Sequence, residues 1–134
     1  MSVIYHVSGK PLPGKQKSML SQFRTGAGIM SRLGSLETRV HNIVMGNAAG
    51  NIGLACKFNS FANTMKALAD RESDPHWQEL METMRSNSSM ELSVRNLLRV
   101  ASGELDLSAK VHHIRTYSMK RDHLPQALEM FKEL

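Results

Sequence analysis

The sequence predicts an α+β fold, an antiparallel β-sheet with helices packed against it. Three observations carry this. "LETRVHNIVM" and "NIGLACKF" alternate with period 2 on either side of the turn "GNAAGN", the pattern of a β-hairpin. Met19, Leu20, Phe23, Ala27, Met30 and Leu33 recur at 3–4 spacing, the pattern of an amphipathic helix. The same helical spacing returns after the hairpin and gives way to a second strand-like run.

The first strand is expected at Val3 to Val7, closed by the turn "SGKPLPG". The first helix spans Lys15 to Leu33, weakened at Gly26 and Gly28, with Gly34 as its C-terminal cap. The hairpin strands are Leu36 to Met45 and Asn51 to Phe58. In the latter Ile52, Leu54, Cys56 and Phe58 share one face. A second helix starts at Asn59 or Ser60, with Phe61, Met65 and Leu68 as its expected buried stripe. It breaks at "DRESDP", where Asp74 can cap a new helix, Pro75 suits its first turn, and Trp77, Leu80, Met81 and Met84 form an apolar face.

A further strand is expected at Met90 to Val100, with Met90, Leu92, Val94, Asn96, Leu98 and Val100 on one face. After "SGELDLS" a fifth strand is expected at Val111 to Tyr117, then a last helix from His123 or Leu124 to Leu134. This final strand–helix pair echoes the first one weakly, each running from a His-bearing strand through a basic turn into a striped helix. It reads as a decayed repeat or as an arm that packs on another subunit.

At 134 residues the chain is expected to form one core-bearing domain; 41% hydrophobic and 22% charged residues match an ordinary globular composition. No apolar run approaches the roughly 18 residues of a membrane span, and the N-terminus lacks a signal-peptide layout. The lone Cys56 cannot form an internal disulfide, and no Cys/His cluster has zinc spacing. These features point to a cytoplasmic protein with no membrane partner and no metal. The net charge of +5 is spread over single Lys and Arg residues and reads as a solvated basic surface.

The order β-α-β-β-α-β over residues 1–101 is the ferredoxin-like plan, with residues 102–134 as a C-terminal strand–helix extension packing on the same or a partner subunit. Helices cover one sheet face. Ile43, Met45 and Ala55 make the other face apolar or small as well, too large a patch to leave wet in a monomer. A homodimer closing a central barrel is the expected cover.

That layout, with the helix "KALADRESDPHWQELMETM" and the strand "MELSVRNLLRV", resembles the dimeric α/β-barrel superfamily, which includes antibiotic biosynthesis monooxygenase-like and NIPSNAP-like proteins. The resemblance runs from Val3 to Ala101. It implies a small-molecule-binding dimeric barrel, and among its activities cofactor-independent monooxygenase or isomerase chemistry on apolar or aromatic substrates, with no metal or flavin. A non-catalytic barrel with a binding or stress-response role is the alternative. Haem degradation, which some members perform, uses an asparagine on the first strand; this chain has His6 there. The adjacent His76 and Trp77 also point about 100° apart on a helix.

Candidate catalytic residues are His6, able to act as a base near neutral pH, and Asn42 and Asn96, which interrupt apolar strand faces. Trp77, Arg95, His41 and His113 are the candidate ligand-binding residues, Arg95 suiting an anionic group. Trp77 also reads as a structural anchor, and Cys56 as a buried, inert thiol. Nucleic-acid binding is disfavoured, because "NIGLACKF" lacks the stacking aromatics that RNA-recognition domains place on the third strand.

Overall fold

A computed structural model describes residues 2–132, apart from the side chains of Leu92 and Ser93. Met1, Glu133 and Leu134 lie outside this range. The elements are β1 (Val3–Pro11), α1 (Gln16–Arg32), β2 (Glu37–Asn42), β3 (Ile52–Phe58), α2 (Phe61–Glu72), α3 (Pro75–Ser86), β4 (Met90–Arg99) and α4 (Leu124–Phe131). A single 3-10 turn, Arg121–His123, leads into α4. The four strands form one sheet in the order β2-β3-β1-β4, antiparallel at each junction. This is the ferredoxin-like arrangement, and the fold is α+β.

The helix-covered side of the sheet holds the core. Tyr5, Leu54, Cys56 and Phe58 pack there against Met19, Phe23 and Met30 of α1. The alternation expected of β3 puts Ile52, Leu54, Cys56 and Phe58 on this side. Gly26 faces the same core, with Leu54 and Leu80 at contact distance from where a Cβ would be. Gly34 takes φ +116° just beyond α1, a conformation that glycine reaches without the penalty of a side chain.

The helix ends follow local chemistry. Ser60 Oγ accepts the Asn63 N–H at 3.1 Å to start α2, and Asp74 Oδ1 accepts the Trp77 N–H at 3.1 Å to start α3. Arg32 grips the same Asp74 carboxylate with two hydrogen bonds of 2.6 and 3.2 Å, tying the end of α1 to the start of α3.

Three expectations are corrected. The first concerns α2, which buries Thr64, Ala67 and Arg71, while Phe61 and Met65 are exposed. Small residues on the inner stripe let the helix lie close to the sheet, and Thr64 satisfies its buried hydroxyl by donating to the Ser60 carbonyl at 2.9 Å. The second is the facing of β4. Ser8 pairs with Val94 but Gly9 pairs with Leu92, so β4 carries one extra residue there, a β-bulge. The bulge reverses the alternation: Met90 packs against the helix-side core, while Val94, Asn96 and Leu98 lie in line with Ser8, His6 and Ile4 on the other side. Gly9 marks the spot, since a Cβ there would lie 2.8 Å from the Glu91 carbonyl oxygen.

The third correction concerns Val111 to Tyr117. This segment is not part of the four-stranded sheet, and it is exposed along its length. Before it, Leu107 is buried and Leu105 half-buried against Ile4 and Ala55, and Lys57 Nζ donates to the Leu105 carbonyl at 3.4 Å. The chain after β4 therefore lies across part of the open sheet face, and Val111 to Tyr117 then finds no adjacent strand edge within the sheet.

Candidate active site on the open sheet face

The sheet register assembles a polar group on the face away from the helices. Arg39, Ala55, His6 and Asn96 stand opposite one another across the four strands; His41, Gly53, Ser8 and Val94 form the next row. His6 and His41 lie on a diagonal across β3, and their Nε2 atoms are 3.0 Å apart. The small residues of β3 on this face, Ala55 and Gly53, leave the room for that contact. A Cβ on Gly53 would come within 2.4 Å of His41 Cε1 and 3.1 Å of His6 Nε2.

Both imidazoles are half-buried, and burial lowers the pKa of each below the usual 6.5. For His41 the nearby His6 and His112 add a smaller push in the same direction. Neutral imidazole is thus the favoured form near pH 7, which leaves ring lone pairs available to accept protons.

The other candidates go elsewhere. Asn42 is exposed at the end of β2 opposite Ile52, and Arg95 stands opposite Val7. Both lie on the helix side of the sheet, so His6 and Asn42 do not line one cavity. His113 is exposed in the C-terminal segment, where it borders an open depression of about 320 Å³ with Arg115, Tyr117 and Phe131.

Trp77 is half-buried in the first turn of α3. Its ring carries the Arg71 guanidinium 4.2 Å above it, and the Tyr5 ring lies 5.6 Å from the same cation. Arg71 is buried, donates to the Tyr5 hydroxyl over a long 3.5 Å, and stands 3.6 Å from the exposed Glu72 carboxylate. Aromatic faces therefore supply much of the solvation this cation loses on burial. This arrangement gives Trp77 a structural task. The sequence reading missed Arg71 because it placed the inner stripe of α2 on Phe61 and Met65. Cys56 is buried, and that burial pushes its thiol up to about 12, against the opposing charge of Arg71. It is inert as a nucleophile.

Among the described residues no group of three or more His, Cys, Asp or Glu side chains is placed to hold a metal ion. Among the described residues no helix is long and apolar enough to cross a membrane.

No protein-family model and no curated protein matches the sequence. Solved structures do match the fold. An uncharacterised NIPSNAP domain protein from Burkholderia xenovorans superposes with a TM-score of 0.63 at 17% identity, covering 79% of this chain and 100% of that one. A NIPSNAP family protein from Agrobacterium tumefaciens gives 0.61 at 17% identity over 74% of this chain and 92% of its own. SnoaB, a cofactor-independent oxygenase from Streptomyces nogalater, gives 0.58 at 13% identity over 76% and 95%. At these identities the likeness is one of fold: the chain has the ferredoxin-like arrangement that these NIPSNAP and oxygenase structures share.

Proposed function

We propose that this protein is a homodimeric α/β barrel that binds a small apolar or aromatic molecule, with the His6–His41 pair as the polar element of the site. The observation behind this reading is the company the pair keeps. Its sheet face also carries Ile4 and Ala55, and the exposed Val94 and Leu98. A face of that composition favours apolar cover, and a second sheet of the same kind supplies it. The exposed C-terminal segment and α4 then reach over the partner.

The chemistry that suits a neutral half-buried imidazole is proton abstraction from a weakly acidic C–H or O–H of the bound molecule. That step opens both an isomerisation and a cofactor-independent oxygenation, the activity named for SnoaB. Native mass spectrometry tests the reading by recording subunit count and retained ligand together. A dimer near twice 15.0 kDa with an additional small-molecule mass supports it, and a bare monomer overturns it. A dimer whose ligand is retained but never converted under oxygen favours a non-catalytic binding barrel.

A further inference from the structure

We infer that His6 and His41 work as one proton-sharing unit, a two-imidazole relay that carries a proton across β3, with Gly53 as the residue that lets the rings meet. The geometry is that of a hydrogen bond between the rings. With 3.0 Å between the nitrogens, ring centroids 5.1 Å apart and planes inclined by only 16°, the imidazoles meet edge to edge, nitrogen to nitrogen. One Nε2 must then carry the hydrogen and the other the lone pair. The tautomers are therefore complementary. The donor ring has its free lone pair at Nδ1, and the acceptor ring has its N–H at Nδ1.

This fixes where protons enter and leave. A proton taken up at Nδ1 of the donor ring makes an imidazolium, whose Nε2–H bond to its neighbour becomes charge-assisted. Transfer of that Nε2 proton leaves the first ring neutral and makes the second an imidazolium, which releases a proton from its own Nδ1. One proton enters at one end and one leaves at the other, with no charge stored. A second simultaneous proton breaks the contact, because two N–H groups would then face each other. The surroundings oppose that state as well. Arg39 of β2, Lys57 of β3 with Glu37 of β2 opposite it, and His112 and Asp106 of the C-terminal segment are the charged or titratable groups on this side. Asn96 of β4 is neutral, and His112 is itself anchored by donating from Nε2 to the Asp106 carbonyl at 2.7 Å. Burial of both rings, which lowers their proton affinity, favours a unit that passes a proton on.

Gly53 is the independent observation. It lies inside a strand, where glycine is a poor choice, and it is not among the glycines with positive φ. Its backbone therefore does not demand glycine. The space does, since any Cβ would overlap the His41 ring at 2.4 to 2.6 Å.

The inference does not rest on the ligand-binding reading, because its test needs only the folded protein. Imidazole ¹⁵N spectra of histidine-labelled protein are recorded across the titration range, with His6→Gln and His41→Gln for assignment. The expected result is opposite tautomers for His6 and His41, each favoured roughly tenfold, and titration in two coupled steps seen at both rings. Gly53→Ala is expected to separate the rings into independent one-step titrations. His41→Gln, which spares the strand, is expected to return His6 to a mixture of tautomers. Matching tautomers in the two rings, or a His6 spectrum unchanged by His41→Gln, overturns the relay.

Discussion

On the helix-covered side of the sheet, Tyr5, Leu54, Cys56 and Phe58 close against α1 within one chain. The opposite side carries His6, His41, Arg39 and Asn96 among Ile4, Ala55, Val94 and Leu98, and its Ile4–Ala55 patch is covered by Val100, Leu105 and Leu107. Both faces come from the same strands, read at alternate residues. The contrast shows what burial within the chain selects for. Where helices supply the cover, strand residues are apolar and large. Where the cover is partial, small residues and imidazoles occupy the same ladders.

Substitutions on each face sharpen that contrast. The largest effect is expected on the closed side: Phe58→Ala removes a fully buried ring and should cost about 3–5 kcal/mol, read from the urea midpoint. Leu107→Ala on the open side should cost about 2 kcal/mol, the low end for a buried leucine. It should also raise hydrogen exchange in the C-terminal segment ahead of the sheet. An equal loss of protection in β3 would show that the two faces are one cooperative unit.

A smaller, pH-dependent effect belongs to the tie between α1 and α3. The hydrogen bonds from Arg32 hold the Asp74 carboxyl at about 2, below its ordinary 3.8, helped by the Trp77 backbone N–H and opposed by desolvation. A depressed carboxyl pKa contributes stability that is complete above about 3.8 and lost as pH falls through about 2. The melting temperature should therefore drop over that interval. Asp74→Asn keeps a good helix cap and should flatten the drop; an unchanged acid limb would place the loss elsewhere. The smallest effect on stability is expected from Leu98→Glu, within about 0.5 kcal/mol for an exposed site. Size-exclusion chromatography should nevertheless show it shifting the proposed dimer to monomer, and an unshifted dimer would move the interface off this face.

Much of this is legible in the residues. The β3 alternation, the caps at Ser60 and Asp74 and the glycine after α1 all come from short-range chemistry that acts within a few positions. The site is harder to read. His6 and His41 are 35 positions apart, and their meeting depends on register across β3 and on the missing side chain of Gly53. His6 and Asn42 look alike as polar interruptions of strands, yet they stand on opposite sides of the sheet. Arg71 shows the same limit: helix periodicity offers two stripes on α2, and close approach to the sheet selects the one with Thr64 and Ala67 over the one with Phe61 and Met65.

Propensity, capping and alternation are local, so the residues from Val3 to Arg99 disclose their strands and helices, the helix ends and the side of β3 that faces the core. The bulge that turns Met90 inward, the unpaired course of Val111 to Tyr117, the cation held between Tyr5 and Trp77, and the contact of the two histidines arise from packing between distant segments. Each depends on which strands and helices become neighbours, and no single segment of the chain carries that information.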